Sequence, residues 1–361
     1  MVLSLKQMFA SDTKTGSDAS NRMRKPLAVA LKFLISAALV FALFYYQVIS
    51  IEALRTTFRD PVVALSAFAV LLLGYGLSAL RWYFLLQAMG ITVRLRPSAE
   101  IFAMGTFATT FLPGGTGGDL LRAVYVARHV HQDRTGGIIS VMVDRAVGLL
   151  GVITAAVLLG FSRAEHVIAS PATKIFFYAL VATLAGAIIG ITAALIILSP
   201  TRVERIRAFV GARTIVHRSV LRFLETVVQL RADPMRVGLS AIISIAVTMT
   251  IVSSVVLLAH GYESGGLTDL DFANAAVLAF LVNAVPVTPG GIGVAEGAFA
   301  FICHTWELLP TVLPYGTIFF GYRIILTVIS LFGSVAFVTY SRGRLLGDEP
   351  RHSGLASTRV H

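Results

Sequence analysis

The chain has 361 residues, 56% of them apolar and only 14% charged. A mean hydropathy of +0.80 excludes a soluble globular domain and points to an integral membrane protein. The net charge of +11 could suggest nucleic acid, but its distribution along the chain argues for topology instead, and the single cysteine, Cys303, excludes an intramolecular disulfide.

Residues 1–26 are polar, end in RMRKP, and read as a disordered cytoplasmic tail. The apolar run 27–49 is too long for a signal-peptide core and has no small-residue cleavage site after it, so it reads as a retained first span. Further runs long enough to cross about 30 Å of hydrocarbon are 61–80, 137–161, 173–198, 237–259 and 313–340. Two others, 99–112 and 272–285, stop at Pro-Gly-Gly after 14 residues each, which at helical rise is about 21 Å and short of a crossing. Each therefore reads as the first arm of a re-entrant hairpin. The segment 199–236 is basic, and Val216, Val220, Phe223 and Val227 recur in it at helical spacing, as in an interfacial amphipathic helix. Residues 341–361 read as a second disordered cytoplasmic tail.

Placing both termini in the cytoplasm puts 23 of the 30 basic residues inside, among them Arg81 in a loop expected over 81–97. A full crossing by 99–112 would move the eight arginines of 199–236 outside, against the positive-inside rule. Trp82 and Trp306 fall near the expected interfaces. The expected fold is an all-α polytopic membrane protein, with six full transmembrane helices and two re-entrant helical hairpins in inverted-topology repeats. It forms a single membrane domain over 27–340, with repeat one at about 97–161 and repeat two at about 272–340.

The repeat rests on matched spacing. Pro113-Gly114-Gly115 is followed by Asp119 and then by Arg145 in the next span; Pro289-Gly290-Gly291 is followed by Glu296 and then by Arg323. Gly/Pro-interrupted short apolar segments at corresponding places in two halves are the mark of inverted-repeat transporters. Irregular backbone at membrane depth is tolerated only inside protein or beside a water-filled cavity, so the two breaks are expected to line one cavity. Helices restarting after such breaks turn their N–H groups toward it and favour anions.

Arg145 lies about 12 Å and Arg323 about 15 Å along their spans. A central arginine costs about 2.5–3.5 kcal/mol on insertion scales, so each needs a reason to be there. Two readings stand for them: internal ion pairs, Arg145 with Asp119 and Arg323 with Glu296, or binding of an anionic head group. Asp119 and Glu296 could equally serve as N-terminal caps. The expected substrate-binding set is Arg145, Arg323, Asp119, Glu296, Arg122 and the turn residues Gly114, Gly115, Gly290 and Gly291. His129 and His131 read as a solvated loop. No metal, cofactor or catalytic residue is expected, and the sequence carries no P-loop.

The stretches FLPGGTGGDLLRAVYVAR, VDRAVGLLG and VPVTPGGIGVAEGAF resemble the lysylphosphatidylglycerol synthase transmembrane-region family, also described as flippase-like membrane proteins. In two-part members the membrane half moves an aminoacylated lipid between leaflets and a soluble domain makes that lipid from aminoacyl-tRNA. Here the sequence runs only 21 residues past the last expected span. The resemblance therefore implies the membrane half without the aminoacyltransferase, and with it lipid translocation. The substrate expected is an anionic phospholipid or polyprenyl-phosphate-linked lipid in the inner membrane of a cell, with lipid head groups also gathering at the basic cytoplasmic face. Two alternatives remain open: a membrane enzyme on a lipid-linked substrate with Asp119 or Glu296 as base, and a non-catalytic partner of a cell-envelope lipid or glycan biosynthesis enzyme.

Overall fold

A computed structural model describes residues 41–43, 45–46, 48–111, 117–129, 134–165, 171–210, 215–262, 265–284, 288, 291–308 and 313–345. Most of the expected first span, the tail 1–26, residues 346–361 of the second tail and the turn residues Gly114, Gly115 and Gly290 lie outside these, whereas 341–345, expected in that tail, continue the last helix. The described residues are helical, with no strand among them.

A short helix, α1 (Ile51–Thr57), leads into α2 (Pro61–Ala88). There follow α3 (Leu95–Phe111), α4 (Gly117–His129), α5 (Arg134–Ser162), α6 (Pro171–Ile197), α7 (Pro200–Val210) and α8 (Ile215–Ala232). The chain continues with α9 (Pro234–Ala259), α10 (Asp269–Asn283), α11 (Val294–Trp306) and α12 (Gly316–Leu345). Helices α2, α5, α6, α9 and α12 are long and apolar enough to cross a membrane.

Five of the expected spans are thus present with shifted ends, and one shift matters. Helix α2 does not stop at Leu80 but runs to Ala88, so Arg81 and Trp82 are not in a cytoplasmic loop. Both are buried: Trp82 is 0% exposed, and the same burial removes it from any lipid interface. Trp306 is likewise buried. The reason is compositional. Past Arg81 the chain continues WYFLLQAM, and one charge in an apolar helix does not end it when a partner waits inside the fold.

Two series of four helices match in length. Helices α2, α3, α4 and α5 have 28, 17, 13 and 29 residues. Helices α9, α10, α11 and α12 have 26, 15, 13 and 30. The leading helix of each series starts alike: Asp60 accepts from Val62 N–H with Pro61 next, and Asp233 accepts from Arg236 N–H with Pro234 next. Within each series the two short helices pack on each other, α3 on α4 and α10 on α11. Between the series, α2 packs on α9, α12 on α3, and α5 on α10.

The contacts are close because small residues meet. A Cβ on Gly118 would stand 2.1 Å from the Gly105 carbonyl oxygen, so α3 and α4 touch backbone to backbone. The larger core packs Phe272, Phe299, Tyr315 and Phe319 between α10, α11 and α12, and a smaller core packs Trp82, Ile101, Phe102 and Met104 between α2 and α3.

Candidate functional site

Helix α4 begins beside the first Pro-Gly-Gly and α11 just beyond the second. Each carries a carboxylate in its first turn, Asp119 in α4 and Glu296 in α11. The favourable place for a carboxylate is there, against the free N–H groups. Glu296 uses it directly: one oxygen accepts the Gly293 N–H at 2.8 Å. The approach is a tight turn. Gly291 and Gly293 have φ of 67° and 87°, and a side chain on Gly291 would overlap the Asn283 amide.

The two expected ion pairs form. Arg145 Nε on α5 reaches an Asp119 oxygen. Arg323 Nε on α12 reaches the other Glu296 oxygen at 2.5 Å and donates from Nη2 to the Gly291 carbonyl at 3.1 Å. The pairs differ in exposure. Glu296 is wholly buried and the Arg323 side chain 16% exposed, whereas Asp119 and Arg145 are 23% and 54% exposed.

Sequence reasoning missed the deeper half of the first site. Asp144, which precedes Arg145, is buried between two arginines: it accepts from Arg81 Nε at 2.9 Å and from Arg122 Nη2 at 2.8 Å. Arg81 also donates to Ser244 Oγ of α9 at 2.9 Å, and that hydroxyl donates to the Val147 carbonyl. The Arg122 guanidinium lies over the Trp82 ring at 4.3 Å and the Phe102 ring at 4.7 Å, a cation–π seat on both. It also stands 3.9 Å from Asp119. Arg122 is therefore part of a buried network that binds α2, α4, α5 and α9 together, not cytoplasmic surface charge. The overlooked signal was an acid adjoining Arg145 inside an apolar span.

The second site is built otherwise. Phe299 stands three residues after Glu296, where the first site has Arg122, and Tyr322 precedes Arg323, where the first has Asp144. Phe299 stacks with Phe272 and packs at a tilt on Phe319, and Tyr322 packs edge-on against Phe280. Aromatic packing thus stands in the second series where a charge network stands in the first. The first site gathers three arginines, Arg81, Arg122 and Arg145, around two carboxylates, Asp119 and Asp144. Among the described residues the second site pairs Arg323 with Glu296.

At the other end of α5, Arg163 makes two hydrogen bonds to Asp271 at the start of α10. Burial works against the Asp271 carboxylate, but the bonds from Arg163 and Thr268 outweigh it and hold its pKa down at about 2. Among the described residues no three His, Cys, Asp or Glu side chains gather into a group that could hold a metal.

Long apolar helices, two matched series and charged pairs inside them define a polytopic helical membrane protein. The model of the lysylphosphatidylglycerol synthase TM region family matches residues 29–333, and the chain belongs to that family. Membership places it among membrane proteins of lipid metabolism or translocation. No curated protein matches the chain.

Proposed function

We propose that this protein moves an anionic lipid, a phospholipid or a polyprenyl-phosphate-linked lipid, between the leaflets of the cytoplasmic membrane. The observation that carries the reading is the pair of carboxylate–arginine contacts, Asp119 with Arg145 and Glu296 with Arg323, at the matching place in each series. A phosphate offers a guanidinium the same bidentate oxygens as a carboxylate. An arriving head group exchanges for Asp119 or Glu296 and leaves the arginine paired throughout. The half-exposed Arg145, in the cluster with the spare positive charge, is the first station.

On this reading the two series are inverted-topology repeats, and α3–α4 and α10–α11 are re-entrant hairpins entering from opposite faces. The matching lengths, the shared Asp-Pro starts and the reciprocal packing of α12 on α3 and α5 on α10 support it. At 1.5 Å per residue, α3 and α10 span about 26 and about 22 Å, short of the hydrocarbon thickness. The distribution of basic residues supports a topology with both termini and α7–α8 in the cytoplasm. There Val220 and Phe223 of α8 are half-exposed, while Leu221 and Thr226 are buried, which suits a helix resting on anionic head groups.

An enzymatic role for Glu296 as base is less well supported, because both its oxygens are already occupied by Gly293 and Arg323. With no P-loop, a concentration gradient or the membrane potential drives any net movement. The test is transbilayer movement of labelled phosphatidylglycerol and of a polyprenyl phosphate in vesicles holding the purified protein. Movement above protein-free vesicles is expected; rates equal to theirs for every anionic lipid tried would overturn the proposal.

A further inference from the structure

We infer that the cleft between α2 and α12 seats an acyl chain of an outer-leaflet anionic phospholipid, with Arg59 at its mouth for the phosphate. The orientation, outer end at Pro61, rests on the topology proposed above.

The cleft has a volume of about 510 Å³ and is lined by Phe58, Leu65 and Phe68 on one wall and Ile324, Ile325 and Val328 on the other. No polar side chain lines it. Apart from Phe58, which caps α1, its walls belong to two helices apolar enough to span, so in a bilayer it opens onto hydrocarbon rather than water. From Pro61 to Phe68 it descends about 10 Å, within the outer half of the membrane.

Below the cleft α2 and α12 close on each other, with Leu71 and Ile329 buried, whereas Leu65 and Val328 along it stay exposed, 68% and 47%.

The mouth has the complementary charge. Arg59 lies between Phe58 and the start of α2, is exposed, and makes no ion pair among the described residues. Its neighbour Asp60 is committed to the Val62 N–H at 2.8 Å. Arg55, on α1, is also exposed. An apolar slot descending from exposed arginines has the shape and charge order of one phospholipid tail under its phosphate. The other segments that could fill it are residues 27–40 and a second copy of the chain.

The test is photolabelling of the full-length protein in phosphatidylcholine vesicles containing a trace of phosphatidylglycerol with a diazirine in its acyl chain. The labelled residues are then mapped by mass spectrometry. Labelling at Leu65 and Val328 is expected to exceed that at Ile189, an equally lipid-exposed residue of α6. The variant Arg59→Gln should weaken phosphatidylglycerol labelling about fivefold, the worth of one basic residue at an anionic surface, and leave a phosphatidylcholine probe unchanged. Leu65→Trp, at an exposed position that tolerates the change, should fill the cleft and abolish labelling at Val328. Labelling at Leu65 and Val328 no greater than at Ile189 overturns the seat, whether residues 27–40, a second copy or nothing fills the cleft. Labelling reads occupancy and needs no movement, so a labelled cleft in a protein that moves no lipid upholds the seat while overturning translocation.

Discussion

Arg323 holds Glu296 across 27 residues of sequence, and Arg145 holds Asp119 across almost the same interval. Both bonds join the first turn of a short helix to the interior of the long helix that follows it. Glu296 is also bonded to its own turn through the Gly293 N–H, so its charge links the turn, α11 and α12. Glu296→Gln leaves a largely buried Arg323 without its counter-charge and should destabilise the protein by about 3–5 kcal/mol. The double variant Glu296→Gln/Arg323→Gln should lose clearly less than the sum of the two single changes. Unfolding of the four proteins in detergent checks this; strict additivity would show that the contact carries no energy.

Asp144 is the most consequential residue of the first site. Asp144→Asn leaves Arg81 and Arg122 facing each other in a buried space, and a loss of about 3–5 kcal/mol is again expected. Arg145→Gln, at a half-exposed position, should cost under about 1 kcal/mol. Thermal unfolding of the two variants side by side separates the structural arginines from the one left available for a ligand.

The close approach of α3 and α4 makes a steric prediction. Gly118→Ala drives a methyl group into the Gly105 carbonyl and should destabilise by about 1–3 kcal/mol. Gly186→Ala and Gly190→Ala on α6 meet nothing within 4 Å and should be neutral or gain about 0.5–1 kcal/mol. The same unfolding measurement distinguishes them.

Acid should loosen the contact between the end of α5 and the start of α10. The folded pKa of Asp271, about 2, lies below the ordinary carboxylate value of 3.8, so its contribution is present above about pH 4 and is lost as pH falls toward 2. The size is about 2 kcal/mol. Stability measured from pH 5 to pH 2 should fall more steeply in the wild type than in Asp271→Asn, and parallel curves would contradict the assignment.

Much of this was legible in the sequence because bilayers impose simple lengths. Five spans, both short apolar arms and both carboxylate–arginine partners follow from runs, breaks and spacing. Arg81 and Asp144 did not. A charge in an apolar run reads as the end of a span unless its partner is known, and Arg81 has its partners on α5 and α9, 63 and 163 residues away. The replacement of that charged network by Phe299 and Tyr322 in the second series was equally hidden. Aromatic residues in a membrane run look alike whether they face lipid or each other.

The most direct test of the account is lipid movement by the Arg145→Ala/Arg323→Ala variant, reconstituted at the same protein density as the wild type in vesicles with labelled phosphatidylglycerol and polyprenyl phosphate. A folded variant that moves anionic lipid no faster than protein-free vesicles, beside an active wild type, is the predicted result. Wild-type rates in the variant would contradict the central claim that these two arginines carry the head group.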